Sequence, residues 1–244
     1  QHRGQDAAGI VTADNGFLNL RKSNGLVSEV FKQNHMEELT GNVGLGHCRY
    51  PTAGCSTNAE AQPFYTNTPC GVCLAHNGNL TNTEELREAM KRYGRHINTT
   101  SDSEVLLNVF AAALPPSMSS KEITVEGVMD AARQVHRYCV GGFACVFLIN
   151  NVGVVALRDR FGIRPLCVGK KRSSTAKSVA SADPGHSIDS VSSSGTDSSK
   201  TQDMLPEFDG EPSACVSAGA LVSADEAVTD YIFASESVAC DPLG

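Results

Sequence analysis

The chain has no tryptophan, and Phe and Tyr bring its aromatic content to only 6% of 244 residues. It also lacks any excess of positive charge. The formal net charge is −7 and the 20 Lys and Arg are scattered. A nucleic-acid surface needs those residues clustered, so that class of partner is excluded. No apolar run approaches the length of a membrane span, and no signal-peptide pattern is read at the start. The sequence contains no G-x-S-x-G, no phosphate-binding P-loop and no H-E-x-x-H, and no cluster has metal-ligand spacing, so no metal site is expected within the chain.

What is present supports a folded core, with 41% apolar and 19% charged residues. The nine Cys are an odd number. Cys48, Cys73, Cys145 and Cys167 have mostly apolar neighbours, as expected of reduced thiols in a cytoplasmic protein. Cys70 and Cys73 form a single C-x-x-C with no second pair, too little for a zinc or redox site. The chain opens on Gln1 rather than Met and stops at Gly244 in mid-pattern, which suggests a piece of a longer polypeptide.

Ala8–Thr12 reads as a strand, Asp14-Asn15-Gly16 as a turn and Phe17–Arg21 as the returning strand. Leu26–Phe31 and His35–Leu39 read as short helical pieces, and Asn42–Tyr50 as a further strand. Ala53–Pro69 has little periodicity and reads as a loop. Gly71–Ala75 is a buried strand that ends at His76-Asn77-Gly78-Asn79-Leu80. Capping boxes at Thr81/Glu84 and Ser101/Glu104 open two amphipathic helices, and Thr124 opens a third. Gly141-Gly142 breaks that pattern, and Phe143–Ile149, Gly153–Leu157 and Leu166–Lys170 return to strands. Strands, then helices, then strands predict an α+β fold in stacked layers. From about Ser173 to Ser223 the chain is rich in Ser, Asp, Gly and Thr, which predicts disorder or a loose insertion.

Three places carry candidate chemistry. Asn77-Gly78 offers a side-chain NH2 and an unobstructed backbone N–H, two donors suited to a developing oxyanion. The same dipeptide is also the strongest short signal for a hairpin turn. Arg49, at a strand end, can grip a carboxylate with two parallel hydrogen bonds, or simply be solvated. Asp102, at a helix start, can accept from an ammonium group or satisfy the helix N-terminus. His47 and His76 read as structural histidines rather than bases.

The order of the segments Gln1–Ile10, Gly46–Gly54, His76–Leu80, Thr100–Glu104, Arg158–Pro165 and Ala234–Ala239 resembles the class II glutamine amidotransferase domain of the amidophosphoribosyltransferase family. The resemblance covers about 1–170 and 229–244, leaving 171–228 as a Ser-rich insertion. It implies an N-terminal-nucleophile hydrolase fold, a four-layer αββα sandwich. It further implies an N-terminal Cys nucleophile roughly two dozen residues before Gln1, whose α-amine is the base. No internal Cys carries a free α-amine, so the chain alone is expected to be inactive. By motif match, Asn77 and Gly78 form the oxyanion hole and Arg49 holds the glutamine α-carboxylate, with Thr52 nearby. Asp102, with Gly78, holds the α-ammonium, and the loop from Arg49 to about Glu60 closes over glutamine.

In the family, the released ammonia reaches a phosphoribosyltransferase domain and reacts there with 5-phosphoribosyl 1-diphosphate and Mg2+ to give 5-phosphoribosylamine for purine (IMP) biosynthesis. That domain would follow Gly244, and a homo-oligomer is implied. Some relatives bind an iron–sulfur cluster through a Cys in the Ser-Glu-Ser region. Val238 stands there in this sequence and Cys240 two residues on, so a cluster-free protein is expected. A non-catalytic glutamine-binding homologue, or the glutaminase of another class II enzyme such as glucosamine-6-phosphate synthase, is the alternative.

Overall fold

The computed structural model describes residues 1, 4–50, 58–116, 123–172, 228–236 and 239. Most of the Ser-rich insertion, Thr52, Val238 and Cys240 lie outside these residues, so the expectations placed on them are not addressed by the fold.

Strands β1 (Ala7–Asp14) and β2 (Phe17–Asn24) form an antiparallel hairpin. Its turn residues Asn15 and Gly16 both have positive φ, 49° and 85°, which matches the right-handed twist of the strands. Helices α1 (Val27–Val30) and α2 (Gln33–Glu38) follow, and β3 (Val43–Arg49) pairs on the other side of β1. The first sheet therefore has the order β2-β1-β3.

The second sheet has the order β4-β5-β6-β7. It contains β4 (Phe64–Thr66), β5 (Val72–Leu80), β6 (Gly141–Ile149) and β7 (Gly153–Arg158). Strand β4 and a short 3-10 turn, Asn58–Glu60, occupy a stretch expected to be a loop. Three residues are too few for an alternating pattern to show in the sequence. Helix α5 ends at Tyr138, before the two glycines as expected, and strand β6 begins at Gly141, two residues earlier than the Phe143 start read from the sequence. The helices are α3 (Thr83–Arg92), α4 (Asp102–Ala113) and α5 (Val125–Tyr138). A separate pair, β8 (Cys167–Arg172) and β9 (Val228–Ala234), brackets the insertion. The backbone pairing thus reaches two residues into its expected start and one into its expected end.

Alternation along β5 and β6 decides the layering, because successive side chains in a strand point to opposite faces. Val72 and Leu74 of β5, with Phe143, Cys145, Phe147 and Ile149 of β6, join the core built with α3, α4 and α5. Cys73 and Ala75 of β5, with Leu148 of β6, form a smaller cluster with Val11 of β1 and Leu45 of β3. A helical layer thus covers one face of the second sheet, and the first sheet covers the other. Phe110 of α4 stacks on Phe147, with ring centroids 3.9 Å apart and planes 22° from parallel.

Two helix starts differ from expectation. The N-cap of α3 is Asn82, one residue after Thr81, and no side chain caps it. The Asn82 amide instead donates to the Tyr138 carbonyl and accepts from the Val140 N–H, tying α3 to the α5–β6 connection. Ser101 does cap α4 by accepting from Ser103 N–H. Its expected partner Glu104 turns instead to the backbone N–H groups of Asn98 and Thr99. Thr124 caps α5 as expected, accepting from Gly127 N–H.

Candidate active site

The Asn77-Gly78 pair is neither a hairpin turn nor a strand end. Strand β5 runs through it to Leu80, with Asn77 opposite Ala144 and Gly78 opposite Phe143 of β6. Glycine is required at 78 because the backbone there has φ 152° and a Cβ would lie 2.2 Å from the Gly142 carbonyl oxygen. The turn signal of the dipeptide is overridden by pairing along the whole of β6.

Period-two alternation places Asn77 with Cys73 and Ala75, on the face toward the first sheet. There its Oδ1 lies 3.1 Å from Nε2 of His47 on β3. An open cavity of about 970 Å³ runs between the sheets and past β9, lined by His47, Asn77, Gly9, Ala144 and Tyr231 among others. Among the described residues, Asn77 is thus the one predicted site residue that lines it.

Ladder geometry settles the direction of the Gly78 N–H. Phe143 exchanges both backbone hydrogen bonds with Asp159, its N–H reaching the Asp159 carboxylate and its carbonyl accepting from Asp159 N–H at 2.7 Å. Phe143 therefore faces away from Gly78, which makes the two a non-hydrogen-bonded pair. Residues 76, 78 and 80 accordingly direct their backbone groups to the edge that short β4 leaves uncovered. Gln62 Oε1 accepts from His76 N–H at 2.7 Å, and Asp102 Oδ2 accepts from Leu80 N–H at 2.9 Å. The Gly78 N–H lies between those two contacts.

His76 belongs to the opposite face, with the helices. Its Nδ1 is 2.9 Å from Ser103 Oγ and 3.7 Å from Asp102 Oδ1. Burial lowers its pKa, and the Asp102 charge opposes that only partly. His76 is thus a buried partner of the α4 N-terminus, in keeping with a structural role. His47 is likewise held neutral, its pKa lowered to about 4 chiefly by burial.

Arg49 closes β3 with its guanidinium committed to two carboxylates. Nη1 is 2.6 Å from Asp6 Oδ2, and Nη2 is 2.9 Å from Glu60 Oε2. Its side chain is only 11% exposed, which replaces the solvated strand end expected as one alternative. The other oxygen of Glu60 accepts from Thr100 Oγ1 at 2.7 Å. A continuous path of polar contacts therefore leads from Asp6 through Arg49 and Glu60 to the segment that opens α4 with Asp102. Asp6 and Glu60 were not singled out from the sequence. Their only signal was a long-range one, the need of a buried arginine for acidic partners.

The charged loop after β7 is shaped by Asp159, whose carboxylate accepts from the N–H groups of Phe143, Phe161, Ile163 and Arg164. Burial acts to raise its pKa, but these backbone donors outweigh it and the net shift is downward. Five of the thiols are held away from the reactive thiolate form. Burial raises the pKa of Cys48, Cys70, Cys139 and Cys145, and pushes Cys73 up to about 12. Among the described residues, no group of three or more His, Cys, Asp or Glu is placed to hold a metal ion.

A family model described as a glutamine amidotransferase domain matches residues 47–184, more than half of the chain. The chain belongs to this glutamine amidotransferase family. Among curated proteins, it is 56% identical over 172 residues to an amidophosphoribosyltransferase of Pseudomonas aeruginosa, covering 70% of this chain and 34% of that protein. It is 54% identical over 173 residues to the Escherichia coli enzyme of the same name, and 50% identical over 173 residues to that of Schizosaccharomyces pombe. These alignments cover 70% of this chain and 34% and 32% of those proteins. The chain thus spans about a third of the length of the curated relatives it matches.

Among solved structures, the glutamine phosphoribosylpyrophosphate amidotransferase of B. subtilis, complexed with ADP and GMP, superposes with a TM-score of 0.55 at 29% identity. That match covers 69% of this chain and 34% of the other. A structure titled as the allosteric regulatory enzyme of purine biosynthesis gives a TM-score of 0.57, also at 29% identity, covering 71% of this chain and 35% of that one. The amidotransferase family and these neighbours show the α+β, N-terminal-nucleophile hydrolase fold. Among the described residues, no helix is long and apolar enough to cross a membrane.

Proposed function

We propose that this amidotransferase domain hydrolyses glutamine and supplies the ammonia to a phosphoribosyltransferase part of the same protein, as an amidophosphoribosyltransferase. The observation that carries the reading is the Asn77 carboxamide lining the cavity between the sheets, followed on β5 by the Gly78 N–H at an uncovered sheet edge. A carboxamide donor at a cavity suits a carboxamide carbon passing through a tetrahedral oxyanion, and in this reading the Gly78 N–H is the second donor.

In this reading the nucleophile is the thiolate of an N-terminal Cys upstream of Gln1, with its own α-amine as base. The sulfur bonds to the glutamine Cδ, the C–N bond breaks, and ammonia leaves with the proton relayed by the amine. Water then hydrolyses the γ-glutamyl thioester, so glutamine and water give glutamate and ammonia. Asn77 and Gly78 hold the oxyanion in both steps. Arg49 takes the α-carboxylate, with Thr52 nearby. It does so by giving one N–H of its fork to the ligand or by exchanging Glu60. Asp102 takes the α-ammonium. The 5-phosphoribosyl 1-diphosphate site and its Mg2+ belong outside residues 1–244, no iron–sulfur cluster is required, and the whole protein works as a homo-oligomer in the cytoplasm.

The test is Asn77→Ala in the full-length protein. Glutamine-dependent 5-phosphoribosylamine formation should fall about 100-fold or more while the reaction with free ammonia is retained. Equal loss of both reactions, or no loss, contradicts the assignment.

A further inference from the structure

The His47–Asn77 contact joins the two sheets at the cavity. His47 Nε2 lies 3.1 Å from Asn77 Oδ1, while His47 Nδ1 is buried and no partner among the described residues meets it in hydrogen-bond geometry, the ring's other polar neighbour being the His76 backbone. Burial keeps the imidazole neutral, so it carries one proton on one of the two nitrogens. A proton on Nδ1 would bury an orphaned N–H donor. A proton on Nε2 leaves only a lone pair unsatisfied, the less costly arrangement. The Nε2–H then donates to Asn77, whose oxygen must face the ring. The amide has two ends, so its NH2 is turned away from His47.

We propose that His47 is a positioning residue for Asn77: it pins the amide oxygen so that the NH2 is presented to the cavity as an oxyanion donor. The inference rests on the oxyanion reading of Asn77. Without the imidazole, the amide can rotate and offer its oxygen, which repels an oxyanion instead of stabilising it. Such a defect acts on the transition state and leaves glutamine affinity nearly intact. Nothing in the sequence distinguishes this histidine from an ordinary structural one. The contact crosses between sheets, from β3 to β5, over 30 positions of chain.

The experiment uses the full-length protein with His47→Ala, His47→Phe, His47→Gln, Asn77→Ala and the His47→Ala/Asn77→Ala double variant. Glutaminase kcat should fall about 10–100-fold in His47→Ala and His47→Phe, with glutamine KM changed less than about threefold and ammonia-dependent activity kept. His47→Gln restores an N–H donor and should recover to within about fivefold of the parent. The double variant should be no slower than Asn77→Ala alone, because both substitutions remove one shared contribution. If Asn77→Ala keeps full kcat, the oxyanion reading itself fails. If Asn77→Ala is slow but His47→Phe is not, or the two losses multiply, the positioning role is overturned. The Phe variant retains the ring volume and decides the matter even where His47→Ala does not fold.

Discussion

The backbone N–H of Leu80 donates to the carboxylate of Asp102 at 2.9 Å. The side chain proposed to hold the glutamine ammonium is thereby fixed to the strand that carries Asn77 and Gly78, and α4 is anchored to the open edge of β5. Asp102→Asn preserves an acceptor for Leu80 N–H and removes only the charge. Its stability should therefore change by no more than about 1 kcal/mol. Glutamine KM in the full-length protein should nevertheless rise about tenfold or more, with ammonia-dependent activity unchanged. Chemical denaturation and steady-state kinetics on one preparation separate the two effects. A normal KM would remove Asp102 from the binding site.

Arg49 is expected to show the opposite balance. It neutralises Asp6 and Glu60, both at close range and largely out of water. Arg49→Ala leaves two buried carboxylates side by side, and losses of about 3–5 kcal/mol accompany such broken pairs. Arg49→Lys keeps one charge but not the two-pronged geometry. The Lys variant should fold with a lower denaturation midpoint and use glutamine poorly. If Arg49→Lys binds glutamine as the parent does, the guanidinium serves the fold alone.

The layers and most elements were legible because alternation and helical periodicity are local signals. Of Leu86, Ala89, Met90 and Tyr93, which share one face of α3 at helical spacing, the first three are buried, whereas Tyr93 at the C-cap is 41% exposed. The site was legible only in part. Asn77-Gly78 reads locally as a turn, and only pairing along β6 makes it strand. The Thr81/Glu84 capping box failed because Asn82 has better long-range partners, at Tyr138 and Val140, than any local cap. The ties of Arg49 to Asp6 and Glu60, and of Asn77 to His47, join segments 11 to 43 positions apart. Tertiary packing creates such pairs, and no local pattern encodes them.

Gly78→Ala tests the close approach of β5 to β6. The new methyl would meet the Gly142 carbonyl at 2.2 Å and His76 Nε2 at 2.8 Å. Backbone must move, so a loss of at least about 2–3 kcal/mol is expected. Gly153→Ala is the control, since it has a similar positive φ of 147° but nothing within 4 Å of its Cβ. It should cost only about 1 kcal/mol, from backbone strain alone. Urea midpoints for the pair measure the difference. Equal losses would place the effect in backbone conformation rather than in the strand contact.

Stability should also fall on mild acidification, with His47 as a principal cause. Its ordinary value of 6.5 describes the unfolded chain, whereas burial lowers it to about 4 in the fold. As pH drops below 6.5 the unfolded state takes up the proton first, so acid favours unfolding. This contribution is complete above the unfolded value and is lost progressively down to the folded one. Between pH 7.5 and pH 5 the loss attributable to His47 approaches about 1.5 pH units, or about 2 kcal/mol. His76, also lowered by burial, adds in the same direction. Denaturant titrations at pH 7.5, 6.5, 5.5 and 5 should show the decline, and His47→Gln should flatten it by that amount. An unchanged slope in the variant would mean that His47 titrates in the fold much as it does in the open chain.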